Sequence, residues 1–201
     1  MFAETIDLPT SDTLYDEFCA LRHDTFSPTE FRIKWVTQGW EAREAYALRR
    51  AVFCVEQGIF LGDDRDAIDE RAQLLVATLC IAGMPEQVVG TVRIHREEED
   101  DLPNLWYGSR LAVHAAFRNH GKLGATLIRL AVSSAHALGC ETFRAHVQSQ
   151  NVPLFRRLRW NVMGEETLLG RPHTRMQADL AHYPPCHDPA SGLVTLSRAV
   201  R

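Results

Sequence analysis

Residues 111–128 combine the side chains and backbone features that bind phosphate groups. The segment contains an apolar strand end, a loop with Gly121 and Gly124, and the start of a helix. Glycine lets the backbone approach a ligand closely, and the free amides at a helix N-terminus favour anions. Arg118 and Lys122 add positive charge for a pyrophosphate. An ordinary basic turn between a strand and a helix has the same composition, so this loop alone leaves both interpretations open.

Three side chains are candidates for general acid–base catalysis, namely Glu56, His146 and His173. Free Glu and His have pKa values of about 4.3 and 6.5, so they need burial or a partner to act near neutral pH. His146 shares one face of a predicted strand with Gln148, which indicates either a cleft or a structural hydrogen-bonded pair. A solvated or paired carboxylate is the alternative for Glu56, and an inert loop histidine is the alternative for His173.

Two other groups of polar residues have simpler explanations. The acids between positions 63 and 70 could attract a cationic substrate, although a solvated loop has the same composition. His182, Cys186 and His187 are residue types that bind zinc, but they lack a fourth ligand. We therefore predict no metal site.

Composition narrows the classes of function. The chain has 201 residues, of which 45% are hydrophobic and 24% charged, as is typical of one soluble globular domain. A net charge of -4 gives no general attraction to nucleic acid or to an anionic membrane. Five cysteines without a C-x-x-C pair favour a reducing compartment, and no apolar run suits a signal peptide or a membrane span. We expect a cytoplasmic protein that binds neither nucleic acid nor membrane.

The elements that position these residues alternate between strand and helix. Strands are predicted at 31–36, 74–81, 88–94, 142–148, 160–168 and 176–180, with a further strand that ends at 113. Helices are predicted at 40–58, 124–139 and 152–158, and the first has an inward stripe of Ala45, Leu48, Val52, Val55 and Ile59. This order predicts an α/β domain with a mixed, mostly antiparallel sheet flanked by helices. We assign 1–30 to an N-terminal arm, 31–181 to the domain and 182–201 to a Pro-rich tail.

Four segments resemble, in order, the motifs of the GNAT superfamily of N-acyltransferases. They are LRRAVFCVEQG at 48–58, GTVRI at 90–94, the loop at 111–128, and AHVQ at 145–148 together with residues 154–176. The resemblance covers about residues 31–180. The chain resembles the ElaA-like branch, and it resembles the acyltransferase domain of bacterial nitrilase-associated gene clusters more closely still.

The resemblance implies which residues bind the donor, acetyl-CoA or another acyl-CoA. The strand end formed by Leu111, Ala112 and Val113 would hold the pantetheine arm through backbone hydrogen bonds. The loop would hold the pyrophosphate with residues Arg118, Asn119, His120, Gly121, Lys122, Leu123, Gly124 and Ala125. Acyl-CoA would then be a dissociable substrate whose thioester the amine attacks directly.

The sequence departs from the family pattern at two places. The family loop reads R-x-x-G-x-G, whereas this loop has one more residue between Gly121 and Gly124. Many members also place a tyrosine after the phenylalanine of the short late helix, where it protonates the departing CoA thiolate. Here the pair is Leu154 and Phe155, so no hydroxyl is available at that position.

The resemblance predicts an N-acyltransferase that moves an acetyl or short acyl group from CoA to a small-molecule amine. The first alternative is an activity like that of acyl-homoserine-lactone synthases, which use acyl-carrier protein. Those enzymes resemble this chain at Arg50, Phe53, Asp66 and Asp69. The second alternative is a non-catalytic module that binds acyl-CoA. The sequence leaves the oligomeric state open, with a homodimer as one option.

Overall fold

The computed structural model describes residues 30–98, 102–118 and 122–196. The chain forms one eight-stranded sheet with helices packed against it. The strands are β1 Glu30–Trp35, β2 Gln73–Ile81, β3 Met84–Arg96, β4 Leu105–Val113, β5 Thr142–Gln148, β6 Trp160–Leu168, β7 Arg171–Ala178 and β8 Leu193–Leu196. The α-helices are α1 Gly39–Arg49, α2 Leu123–Ala137 and α3 Val152–Arg157.

The strand order is β6-β7-β5-β4-β3-β2-β1-β8. β4 and β5 run parallel, and the other described neighbours run antiparallel. This arrangement confirms the predicted α/β class with a mixed, mostly antiparallel sheet. β5 and β6 occupy the predicted ranges 142–148 and 160–168. The side chains of β5 alternate between buried and more exposed positions, whereas Trp160 is the one buried residue of β6.

The helices cover opposite faces of the sheet. α1 packs Ala45 and Leu48 against Val76 of β2 and Val88 of β3, in a small apolar cluster. α2 contributes to the larger core on the other face, where Leu123, Leu127, Ile128, Leu130 and Ala131 are buried. β2, β3 and β4 therefore have one face toward α1 and one toward α2.

The first helix departs from its predicted apolar stripe after Arg49. Residues 50–56 form a π-helix, which has more residues in each turn than an α-helix. The side chains beyond this point are therefore rotated relative to an α-helical stripe. Val55, which was predicted to point inward, is 79% exposed, whereas Arg49 and Phe53 are buried.

Residues 182–196 belong to the folded domain, which corrects the tail predicted to begin at position 182. The buried Tyr183 accepts a hydrogen bond from Trp160 Nε1 at 2.9 Å. β8 extends the sheet beyond β1 in antiparallel register. Before it, Gly192 has a φ of 69°, and a Cβ there would lie 2.1 Å from the carbonyl oxygen of Ile33. A four-residue strand with exposed side chains has too little apolar periodicity to be predicted.

The predicted N-terminal arm lies outside the described residues, apart from Glu30 at the start of β1. In the part of the chain that the structure describes, no helix is long and apolar enough to cross a membrane. The same part holds no group of three His, Cys, Asp or Glu side chains that could bind a metal ion.

Candidate active site

β4 and β5 separate after a short stretch of parallel pairing. Residues 105–107 pair with residues 142–144. Beyond Tyr107, β4 pairs only with β3, and beyond Arg144, β5 pairs only with β7, as far as the described residues go. The divergence leaves an opening in the sheet, along which β4 presents backbone groups that no neighbouring strand satisfies.

The backbone of β4 is irregular where it borders the opening. Its register against β3 shifts between Thr91 and Arg93. Opposite this shift, Arg110 has a φ of 54°, which is the left-handed region that non-glycine residues rarely adopt. A bulge of this kind changes the direction of the backbone groups and of the Arg110 side chain at the edge of the opening.

A cavity of about 720 Å³ occupies the opening and is lined from both faces of the sheet. On the face of α1, its lining includes Asp66, Tyr107, Arg110 and His146. On the face of α2, its lining is mainly apolar and includes Ile128, Ala131, Val132, Phe143, Phe155 and Trp160. A volume of this size is typical of sites for small organic ligands.

His146 is held in place at this cavity by contacts on two sides. Its ring stacks on that of Tyr107, with centroids 5.6 Å apart and planes within 7°. Its Nδ1 is hydrogen-bonded to Oε1 of Glu166 on β6. These contacts fix the plane of the imidazole and leave Nε2 as the nitrogen that can exchange a proton.

The ring row continues from Tyr107 to His95 on β3, with centroids 5.9 Å apart. His95 is buried and lines the cavity. Burial, followed by the positive charge of Arg93, lowers the pKa of His95, so this imidazole is neutral at pH 7. The row thus crosses three neighbouring strands next to the last paired residues of β4 and β5.

The other two predicted acid–base residues have different surroundings. His173 also lines the cavity, and its Nδ1 lies 2.9 Å from the carbonyl oxygen of Arg171. Glu56 is absent from the described lining, and Nη2 of Arg118 lies 2.5 Å from its Oε2. The hydrogen bond from Arg118 lowers the pKa of Glu56, which makes this carboxylate a weaker base.

Those predicted donor-binding residues that the structure describes lie at the α2 end of the opening. Leu111, Ala112 and Val113 form the end of β4. Lys122 has a φ of 52° and precedes α2, which begins at Leu123 and continues through Gly124 and Ala125. Asn119, His120 and Gly121 lie outside the described residues.

Arg118, which was predicted to bind the pyrophosphate, is 43% exposed in its side chain. Its Nε donates to the carbonyl oxygen of Val113 at 3.1 Å, and its Nη2 contacts Glu56. Both contacts orient the guanidinium between the strand end and the first helix. An incoming phosphate group would compete with Glu56 for it.

Three arginines and three aspartates form a charged cluster beside the cavity, consisting of Arg49, Arg93, Arg110, Asp64, Asp66 and Asp69. Arg49 contacts Asp64 at 2.9 Å and Asp69 at 2.6 Å. Arg93 contacts Asp66 at 2.5 Å and Asp69 at 2.9 Å. Arg110 contacts Asp64 at 2.9 Å and Asp66 at 3.1 Å. Each guanidinium therefore bridges two carboxylates, and the cluster is balanced in charge.

Hydrogen bonds determine the ionisation of the carboxylates in this cluster. Burial opposes the ionisation of Asp69, but hydrogen bonds from Arg49 and from the backbone N–H of Asp66 outweigh it and lower the pKa of Asp69. Burial likewise opposes ionisation of Asp66, and the hydrogen bond from Arg93 lowers its pKa. Arg50, one of the positions at which the chain resembles acyl-homoserine-lactone synthases, is exposed on the π-helix, and the contacts with Asp64 and Asp69 come from its neighbour Arg49.

Phe155 stands on the late helix where the resemblance places the tyrosine, and it carries no hydroxyl. It is buried at the end of the cavity, with its ring centroid 5.0 Å from that of Trp160. Tyr183 is nearby in the core, but its hydroxyl donates to the carbonyl oxygen of Leu158, and burial raises its pKa. Tyr183 is not among the described residues that line the cavity.

Sequence reasoning missed Tyr107, Arg110 and Glu166 as residues of this site. Glu166 reaches His146 from β6, a strand that does not itself pair with β5. Only the full strand order reveals this contact. Arg110 joins the site because of its unusual backbone conformation, for which its sequence neighbourhood gives no signal.

Comparison with known proteins agrees with this architecture. The model of a family described as the acetyltransferase (GNAT) family matches residues 31–158. A search of curated proteins gives no significant match. Among solved structures, a Lactobacillus plantarum protein assigned as an N-acetyltransferase is 25% identical, with a TM-score of 0.63 over 74% of this chain and 97% of its own.

Two further solved structures share the fold at lower identity. Escherichia coli ElaA is 19% identical, with a TM-score of 0.61 over 75% of this chain and 99% of its own. The AHL synthase LasI is 13% identical, with a TM-score of 0.60 over 78% of this chain and 96% of its own. These likenesses, together with the family match, confirm the predicted GNAT fold.

Proposed function

The chain belongs to the acetyltransferase (GNAT) family, and from this premise we propose an N-acyltransferase that moves an acetyl or short acyl group from acyl-CoA to the amine of a small molecule. We propose further that it belongs to the ElaA-like branch and acts in the cytoplasm. The opening between β4 and β5, with its cavity of about 720 Å³, is the observation that carries the proposal.

The opening suits a donor that has a polar arm and a reactive thioester. The unpaired edge of β4 offers backbone groups to the amides of pantetheine, and the start of α2 offers free N–H groups to the pyrophosphate. In this arrangement Leu111, Ala112 and Val113 hold the arm. Arg118 and residues 119–125 hold the phosphates.

We assign the general base to His146. An amine attacks a thioester only in its neutral form, so a nearby group has to accept its proton. His146 lines the cavity, its ring plane is fixed by Tyr107, and Glu166 occupies its Nδ1. Nε2 would accept the proton as the new C–N bond forms and the C–S bond breaks.

His146 would also act as the general acid, the role for which position 155 supplies no tyrosine. When the C–S bond breaks, the CoA thiolate leaves and His146 carries one proton. Transfer of that proton to the thiolate, directly or through water, restores neutral His146 and balances the reaction. Glu166 acts as a positioning residue, since its carboxylate contacts His146 rather than the reacting atoms.

His173 and Glu56 rank below His146 in this proposal. His173 lines the cavity and stays a candidate for binding or for proton transfer. Glu56 is paired with Arg118, and its lowered pKa does not suit a base. Its carboxylate instead holds Arg118 at the edge of the donor site.

Release of free thiol from acetyl-CoA, measured against a panel of primary amines, tests the proposal. We expect amine-dependent thiol release by the wild-type protein and its loss in the His146→Gln variant. His182→Gln is a matched control, because this exposed histidine contacts Asp179 and is not among the described residues that line the cavity. Equal thiol release by wild type and His146→Gln would contradict the assignment.

An activity like that of acyl-homoserine-lactone synthases is the second candidate. Phe53 and Asp66 line the same cavity, and LasI shares the fold. An assay with acyl-ACP beside acyl-CoA separates the two candidates, since transfer from acyl-ACP alone would favour the second. Binding of acyl-CoA without turnover on any amine would instead support a non-catalytic module.

A further inference from the structure

The cavity at the opening has two sides of different chemistry. β5 shows the division most clearly, because its side chains alternate between the faces of the sheet. His146 points to the face of α1, where Asp66, Arg93 and Tyr107 also line the cavity. Phe143 and its alternate neighbours on β5 are buried on the face of α2.

We define the apolar chamber as the part of the cavity on the α2 face, lined by Ile128, Ala131, Val132, Phe143, Phe155 and Trp160. All six belong to the main hydrophobic core and are at most 6% exposed. The rings of Phe143 and Phe155 meet that of Trp160 edge-on, at centroid distances of 5.8 and 5.0 Å. The indole N–H of Trp160 is bonded to Tyr183, so it offers no donor to a ligand.

We propose that the apolar chamber binds the hydrocarbon chain of the acyl group, and that the preferred donor carries a medium-length chain rather than acetyl. This inference rests on the proposed function, which places the thioester at the opening. From there the acyl group can extend toward the charged side chains of the α1 face or into the apolar chamber. Because transfer of CH₂ groups from water to an apolar surface is favourable, the chain enters the apolar chamber.

The two faces of the cavity would also hold the two substrates apart. The amine approaches from the α1 face, where His146 and Tyr107 meet the cavity. The acyl chain lies on the opposite face and leaves that approach free. Acetyl would fill only the entrance of the apolar chamber.

Equilibrium binding of CoA, acetyl-CoA, butanoyl-CoA, hexanoyl-CoA and octanoyl-CoA tests this proposal without knowledge of the amine. We expect the dissociation constant to fall about fourfold for each methylene buried, which corresponds to about 0.8 kcal/mol per CH₂, until the apolar chamber is full. Equal or weaker binding of the longer thioesters would overturn the inference and leave the N-acyltransferase proposal intact. Failure of every CoA thioester to bind would overturn both.

Filling the apolar chamber gives an independent test. Ala131→Leu adds three carbon atoms from α2, so it should abolish the gain in affinity for hexanoyl-CoA relative to acetyl-CoA. Ala137→Leu is the matched control, because Ala137 lies on the last turn of the same helix and is not among the described cavity residues. Val132→Ala should increase the acyl chain length that gives the lowest dissociation constant. Equal losses for CoA and hexanoyl-CoA in Ala131→Leu would overturn the inference, since the apolar chamber would then hold pantetheine.

Discussion

The charged cluster and the His146–Glu166 pair lie near the same cavity but differ in how completely their groups are paired. In the cluster, three guanidinium groups each bridge two carboxylates, and Arg49, Arg93 and Asp64 are almost fully buried. In the pair, one carboxylate holds one imidazole nitrogen, and the His146 side chain is 37% exposed. The three guanidinium groups of the cluster are all engaged by carboxylates and fix the scaffold, although Oδ1 of the buried Asp64 has no hydrogen-bond partner among the described residues. The pair leaves one nitrogen available for chemistry.

The largest expected effect is the loss of catalysis in His146→Gln. A positioned acid–base group contributes about 10²- to 10⁴-fold to a rate, so kcat should fall by that factor. The dissociation constant for acyl-CoA and the unfolding midpoint should stay close to wild type, because the side chain is partly exposed. Thiol release and thermal unfolding measure the two quantities. A large fall in the unfolding midpoint of His146→Gln would show instead that His146 stabilises the fold.

Arg49→Met should show the opposite behaviour. It leaves Asp64 and Asp69 short of a buried partner, so the free energy of unfolding should fall by about 3–5 kcal/mol. Arg50→Met is the matched control and should change stability by no more than about 0.5 kcal/mol, because Arg50 is exposed. Chemical denaturation measures both. Similar free energies of unfolding for the two variants would contradict a stabilising role for the charged cluster.

Glu166→Gln should lower kcat by about 10- to 100-fold, as is typical when a partner that orients a histidine is lost. The KM for acyl-CoA should not change. The neighbouring Glu165→Gln carries the same change of charge on the exposed face of β6 and should behave as wild type. Combining Glu166→Gln with His146→Gln should add no further loss, because the two residues act as a unit. A further loss in the double variant would indicate a separate role for Glu166.

Acid should weaken the charged cluster in a defined direction. The pKa values of Asp66 and Asp69 are lowered in the folded state, whereas unfolded Asp has a pKa of about 3.9. Their contribution to stability is therefore complete above about pH 5 and is lost as the pH falls through 3.9 toward the folded values. Urea denaturation across this range measures the slope. Asp69→Asn should reduce the slope, and an unchanged slope would exclude Asp69 as its source.

Glu56→Gln should have the smallest effect. The Glu56–Arg118 pair is exposed, so the free energy of unfolding should change by no more than about 1 kcal/mol. Thiol release should remain near the wild-type rate, because Glu56 does not line the described cavity. A fall of about 10²-fold or more would instead assign the general base to Glu56.

The sequence predicts the parts of the molecule whose signals are local. The alternation of residues 142–148 predicts β5 with the bounds that the structure has, and the strand predicted at 160–168 matches β6. The helix predicted at 124–139 matches α2, on which Leu127, Leu130 and Ser134 are buried, although Leu138 just beyond it is exposed. These patterns depend on neighbours a few positions away, so a single sequence contains them.

The remaining features depend on distant contacts or on irregular backbone. Glu166 meets His146 only because β6, β7 and β5 lie side by side in that order. The π-helix after Arg49 leaves Val55 exposed, which the predicted α-helical stripe of the first helix does not anticipate. β8 exists because it pairs with β1, about 160 positions earlier, and its four residues have no distinctive pattern of their own.

Thermal unfolding of the wild-type protein and of His146→Gln, each with and without saturating acetyl-CoA, tests the central claim most directly. A ligand at about 100 times its dissociation constant adds roughly 2.7 kcal/mol of stability. We predict the same upward shift of the midpoint in both proteins, and amine-dependent thiol release in the wild type alone. No shift in the wild type would contradict a donor site at the opening between β4 and β5.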